Sequence, residues 1–159
     1  LGSGNPGMSN VWRTMGARWA AVVLAADAGR GMLVAFVSQR LFSTCPEILA
    51  VCLAVVAGNL FPIFHGFRGG KGFGASFGIM LAFSPVAGLL CGIGWVAVAR
   101  LLRMASIATL CAAASYPVLV LIMGGAGCEV AAGVVLLAVT VFTHRQNIAR
   151  LARGSEHRL

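Results

Sequence analysis

Charge is scarce in this chain. Only 10% of its 159 residues are charged, 4 of them are acidic, and long stretches carry no charge at all. A soluble domain of this size cannot hide an apolar fraction of 59%, so a water-soluble globule is excluded and a polytopic membrane protein is expected. The mean hydropathy of +0.92 agrees. Metal and redox spacings are missing too, since there is no CxxC and no paired histidine spacing. The five cysteines (Cys45, Cys52, Cys91, Cys111 and Cys128) are scattered, most of them within apolar runs. They read as small hydrophobes rather than metal ligands or disulfide partners. No basic stretch followed by an apolar one opens the chain, so no cleavable signal is expected. The chain begins with Leu1 and reads as a fragment, or as numbered from an internal residue. There is no internal duplication and no low-complexity tail. With no metal cluster and no nucleotide-binding fold to be traced, no cofactor is implied and the metal-ligand set is empty.

The apolar segments run as Trp19–Phe42, Glu47–Phe64, Phe73–Phe83, Val86–Leu102, Ser106–Met123 and Val130–Thr143. Most approach the ~20 residues that cross a bilayer. Phe73–Phe83 is short, about 16 Å at ~1.5 Å per residue, and Ser84-Pro85 breaks the helix after it. If that segment crosses, Arg13, Arg18, Arg68, Lys71, Arg100, Arg103, Arg145, Arg150, Arg153 and Arg158 share one side. The other side keeps Arg40, offset by Glu47 and Glu129. A single span over Phe73–Leu102 would erase this asymmetry. The positive-inside rule therefore predicts six crossings with the basic side cytoplasmic, and an all-α transmembrane bundle. The net charge of +8 then points to anionic lipid headgroups and small anionic substrates, not to nucleic acid.

Four polar segments, 2–18, 58–72, 100–109 and 144–156, gather on the basic side, and three of them could carry chemistry. Gly66-Phe67-Arg68-Gly69-Gly70-Lys71-Gly72 packs two cations and four glycines into seven residues. Glycines allow close backbone approach, and the cations supply the charge that a phosphate requires. A loop that merely orients the protein would need the charge but not the glycines. Gly2-Ser3-Gly4-Asn5-Pro6-Gly7 precedes Asn10 and Arg13, whose spacing of three puts them on one helix face. An expression linker is the competing reading of Gly2-Ser3-Gly4. His144-Arg145-Gln146-Asn147-Ile148 leads to Arg150 and Glu156, with a basic stop-transfer flank as the alternative.

Taken in order, Ser-Gly-Asn-Pro-Gly-x-x-Asn-Val-x-Arg, Gly-x-x-Phe-Pro-x-Phe-x-x-Phe-Arg-Gly-Gly-Lys-Gly and His-Arg-x-Asn-Ile-x-Arg-Leu strongly resemble the bacterial acyl-phosphate:glycerol-3-phosphate acyltransferase family known as PlsY. Asp27-x-x-Arg30-Gly31 and Arg103–Thr109 support the match, which covers essentially the whole chain. Three departures stand out: Asn59 replaces the usual His, Gln146 replaces the usual Glu, and one membrane span is missing before the Gly-Ser-Gly motif. The last implies that the 159 residues are an N-terminally truncated single acyltransferase domain of a seven-span architecture.

The resemblance implies transfer of a fatty acyl group from acyl phosphate to the sn-1 hydroxyl of glycerol 3-phosphate. The products are lysophosphatidic acid and inorganic phosphate, and the setting is the inner membrane. Membrane lipid and the acyl-phosphate-producing enzyme of the same pathway are the implied partners beside the two substrates. Lys71, with the backbone of Gly69, Gly70 and Gly72, is assigned to the acyl-phosphate phosphoryl group. Arg13 is assigned to glycerol 3-phosphate, with Arg68 as second candidate. Ser3 and Asn147 would position the reacting groups or bind the developing oxyanion. Gly4, Asn5, Asn10, Ser106, His144, Arg150 and Glu156 complete the substrate-binding set. Asp27 and Arg30 read either as a structural ion pair, which is favoured, or as reaching toward the pocket. With Asn59 in place of His, a substrate phosphate is the favoured proton acceptor. A carrier for phosphorylated small molecules and a non-catalytic homologue are the competing readings.

Overall fold

A computed structural model describes residues 7–63, 66–67 and 69–159, and every element in them is helical. The chain divides into two compact units, Leu1–Phe83 and Ser84–Leu159.

In the first unit, α1 (Met8–Met15) is short and has no fully buried residue, while α2 (Ala17–Leu41) is long and apolar. Gly16, at φ 89°, separates them; glycine holds this left-handed region without steric cost. α3 (Cys45–Leu60) opens with a strong start signal. The Glu47 carboxylate accepts from the Thr44 N–H at 3.3 Å and from the Thr44 hydroxyl at 2.7 Å, which satisfies orphan donors of the first turn. The apolar run predicted to continue to Phe64 leaves the helix at Leu60. Phe61 precedes Pro62, which disfavours helical geometry at that position.

α4 (Phe73–Phe83) lies against α2 at very short range. A methyl on Gly78 would fall 1.9 Å from the Ala28 carbonyl oxygen, and one on Gly31 would fall 2.0 Å from the Ala75 carbonyl oxygen. On Gly74 it would lie 2.7 Å from Asp27 Cβ. Gly74 and Gly78 form a small-xxx-small stripe, the device by which helices without a hydrophobic drive between them pack in lipid.

The second unit begins at the predicted break. Ser84 is extended and Pro85 starts α5 (Pro85–Leu102). α5 ends at Arg103, a left-handed residue with φ 55°. α6 (Ala105–Ile122) carries the buried Pro117 inside it, and Gly133 of α7 (Cys128–Thr143) fits against Tyr116 and Pro117. α8 (Arg145–Ala152) continues α7 after a 62° bend.

Both units leave large apolar side chains on their surface, among them Leu33 and Phe36 on α2, Ile93 on α5 and Leu121 on α6. Acyl chains solvate such a surface and water does not. Among the described residues α2, α5 and α6 are each long and apolar enough to cross a membrane, and the bent α7–α8 pair qualifies as a fourth. α3 and α4 are apolar but have 16 and 11 residues, so the six-crossing count rests on the distribution of cations rather than on length. Cys52, Cys91 and Cys111 are free thiols.

Candidate functional site

In the first unit the glycine–basic loop folds back on the end of α3. The Gly69 N–H donates to the Leu60 carbonyl at 3.2 Å and the Gly70 N–H to the Asn59 carbonyl at 3.1 Å. Terminal carbonyls of a helix need partners, and these amides supply two. This corrects the expectation that the Gly69 and Gly70 backbone N–H groups face a phosphate. The glycines are there for close approach: a methyl on Gly69 would sit 2.1 Å from the Asn59 carbonyl oxygen and 2.5 Å from that of Leu60. Gly72, buried at φ +75°, would bring a methyl to 2.9 Å from Val56 Cγ1. The loop thereby delivers the half-buried Lys71 to the start of α4, where the positive end of the helix dipole adds to its charge.

The same loop meets the start of α1. A methyl on Gly70 would lie 3.4 Å from Asn59 Oδ1 and 3.5 Å from Gly7 Cα. Asn10 and Arg13, both half-buried, follow on α1 three residues apart, as their spacing predicts. The Asn59 Nδ2 beside this convergence is buried and has no hydrogen-bond partner among the described residues. Further along α2, Arg30 pairs with Asp27, the structural ion pair favoured from the sequence. Ser3, Gly4, Asn5 and Arg68, and the neighbouring His65, lie outside the described residues.

The second unit builds a polar cluster on one carboxylate. Glu156, 8% exposed, accepts from Ser106 Oγ at 3.1 Å and Asn147 Nδ2 at 2.6 Å through Oε1, and from Arg150 Nε at 2.8 Å through Oε2. Burial works to raise the Glu156 pKa, but the donors from Asn147, Arg150 and Ser106 outweigh it and hold the carboxyl below its ordinary value. The cluster ties the first turn of α6 to α8 and the tail. His144, 4% exposed, sits at the α7–α8 bend with Nδ1 2.9 Å from the Thr140 carbonyl oxygen. A carbonyl only accepts, so Nδ1 carries a proton.

Sequence reasoning assigned Ser106, Arg150 and Glu156 to substrate binding and Asn147 to positioning the reacting groups, and the structure joins the four to one another. The three-residue spacing of Asn147 and Arg150 on a helix, with an acid shortly after it, was the available signal. Asn59 was read only as a departure from histidine, and the Gly74–Gly78 stripe was passed over, although it is plain as a Gly-x-x-x-Gly pattern.

Comparison with known proteins gives a consistent picture. Residues 1–154 match the profile of a family described as glycerol-3-phosphate acyltransferase. A glycerol-3-phosphate acyltransferase of Thioalkalivibrio sulfidiphilus is 42% identical over 159 residues, 99% of this chain and 78% of that protein. The chain is similar to PlsY (YgiH), an integral membrane glycerol 3-phosphate acyltransferase, in crystal structures of its glycerol 3-phosphate and lysophosphatidic acid forms. For the first, the TM-score is 0.90 at 31% identity, covering 100% of this chain and 80% of that one. For the second, the TM-score is also 0.90 at 31% identity, covering 99% and 81%.

Proposed function

The chain belongs to the glycerol-3-phosphate acyltransferase family, and from that premise we propose that its acyl donor is a fatty acyl phosphate. The sn-1 hydroxyl oxygen of glycerol 3-phosphate attacks the acyl carbonyl carbon, and the bond from that carbon to the phosphate oxygen breaks. Its electron pair leaves on inorganic phosphate, and the hydroxyl proton passes to a phosphate oxygen. A phosphate with a second pKa near ~6 is a competent acceptor for it. No nucleotide or metal is required by this route.

The observation that carries the reading is the convergence of the Gly69–Lys71 loop with the start of α1 in the first unit. It puts Lys71 and the helix bearing Arg13 at the ends of apolar helices, where a substrate with a charged head and an acyl tail can be held. Lys71 serves the phosphoryl group of the donor, and Arg13 serves glycerol 3-phosphate, with Arg68 as second candidate. Asn147, and Ser3 beyond the described residues, orient the reacting groups, and the Glu156 cluster holds Asn147 in place. The loop cations, Arg103 and the α8 cations face the cytoplasm from an inner membrane crossed six times, and residues 1–159 serve as one catalytic domain. The acyl-phosphate-producing enzyme of the pathway is the natural partner.

The test is a donor swap. Purified protein in detergent micelles, given glycerol 3-phosphate, should form lysophosphatidic acid from palmitoyl phosphate and none from palmitoyl-CoA alone. Robust turnover of the thioester would overturn the donor assignment. Uptake of glycerol 3-phosphate into proteoliposomes without acylation would replace the enzyme with a carrier.

A further inference from the structure

α8 leaves the line of α7 at a 62° bend, and its two sides differ. The inner side is committed within the unit, where Asn147 is buried and Arg150 pairs with Glu156. The outer side is exposed, with Arg145, Ala149 and Arg153 spaced to share one face and Ile148 beside them. Among the described residues no carboxylate pairs with Arg145 or Arg153. Arg145 is also held in place. Its guanidinium lies 4.6 Å over the Phe142 ring, and its Nη1 donates to the Phe142 carbonyl at 3.0 Å. That single bond leaves donors of the flat guanidinium fork for an outside acceptor. On α7, Val134, Ala138, Val141 and Phe142 form an exposed apolar stripe at helical spacing, and Arg145 is its next step.

We propose that the outer face of α8, with Phe142 and the stripe that leads to it, is a docking surface for an anionic membrane phospholipid. The acyl chains lie along the α7 stripe, and the headgroup phosphate accepts from Arg145, with Arg153 supplying a second positive charge about 12 Å further along the helix. An aliphatic stripe capped by a fixed cation matches a lipid from tail to headgroup. An acidic soluble protein would match the cations but not the stripe. A zwitterionic lipid brings an ammonium that the two arginines repel, so net negative charge is the distinguishing feature. The surface uses none of the residues assigned to the two substrates. Because the inner side of α8 is tied to α6 and the tail through Glu156, a lipid held on the outer side stabilises the cluster as well, and unfolding reports its binding.

The experiment titrates the full chain, in micelles of an uncharged detergent, with dioleoylphosphatidylglycerol and separately with dioleoylphosphatidylcholine. A ligand that binds the folded protein raises the thermal midpoint, so phosphatidylglycerol should raise it and phosphatidylcholine should not. A cation beside an anionic lipid surface is worth about fivefold in affinity, so Arg145→Gln should need about five times more phosphatidylglycerol for the same rise, and Arg145→Gln combined with Arg153→Gln roughly 25 times more. Without lipid these variants should melt near wild type, because both side chains are exposed. Arg145→Lys keeps the charge but not the flat fork over the ring and should fall between; it carries the comparison if the glutamine variants melt early. Arg145→Gln combined with Gln146→Arg keeps the net charge and turns the cation about 100° round the helix, and it should respond as weakly as Arg145→Gln. A wild-type response from that variant would reduce the effect to net charge and overturn the proposal. Equal rises with the two lipids would overturn it too, as would the same rise with inorganic phosphate alone, which marks a small-anion site. No rise with phosphatidylglycerol would give the face to another occupant, such as an acidic protein. Turnover is not read, so failure of the acyltransferase reading leaves this test intact.

Discussion

Glu156 is the acceptor on which three donors from two helices converge, and its protonation state decides whether they have a partner. Its folded pKa lies below the ordinary carboxylate value. The ionised cluster therefore contributes stability that is fully present above about pH 4.3, and that stability is lost as pH falls through the lowered folded value. The thermal midpoint in detergent should be flat from neutral pH to about pH 5 and then fall on acidification. Glu156→Gln should lower the midpoint at neutral pH and flatten the acid limb; an unchanged neutral midpoint would remove the cluster from the account. Arg13 and Lys71 call for kinetics instead. Arg13→Ala should chiefly raise KM for glycerol 3-phosphate. Lys71→Ala should lower turnover and weaken acyl-phosphate binding, each by roughly 10- to 150-fold for a charge-assisted contact of about 1.5–3 kcal/mol. Equal effects of both variants on one substrate's KM would mean that they grip a single phosphate. Arg13 and Lys71 stand out in the sequence because their types and spacings suit phosphate chemistry. That Glu156 binds Asn147, Arg150 and Ser106 was not legible there, since Ser106 is 50 residues away in sequence and contacts of that separation leave no local pattern.

Helices carry a second kind of information, which is how closely they approach. The boundaries of α2 and α4, and the break at Ser84-Pro85, follow from hydropathy and proline chemistry, and the sequence predicts them within a few residues. The end of α3 does not follow, because it is set by Pro62 and by amides donated from Gly69 and Gly70. Those two glycines look like phosphate-loop residues in the sequence, but they cap a helix. Gly69→Ala should therefore damage the fold of the loop. Gly78→Ala and Gly31→Ala should separate α2 from α4, since each methyl would fall about 2 Å from a backbone carbonyl oxygen. Gly29→Ala is the control: nothing lies within 4 Å of the added methyl, and alanine favours a helix. Thermal unfolding in detergent should rank Gly29→Ala at or above wild type and the other three clearly below it. A neutral Gly78→Ala would contradict the packing described for α2 and α4.

For the whole molecule, composition alone excludes a soluble globule, and the outward apolar side chains of both units agree. Topology is read from charge, since α3 and α4 are too short to be assigned as spans by length. Single cysteines at positions 103 and 153 in a cysteine-free background should react with a membrane-impermeant maleimide only from the cytoplasmic side. Labelling of either from the opposite side would reverse the assignment. The chemistry itself is tested most directly by product stoichiometry. Purified wild-type protein with palmitoyl phosphate and glycerol 3-phosphate should release lysophosphatidic acid and inorganic phosphate in equimolar amounts, and neither when glycerol 3-phosphate is withheld. Phosphate released without glycerol 3-phosphate, or lysophosphatidic acid formed without phosphate, would contradict direct acyl transfer from acyl phosphate.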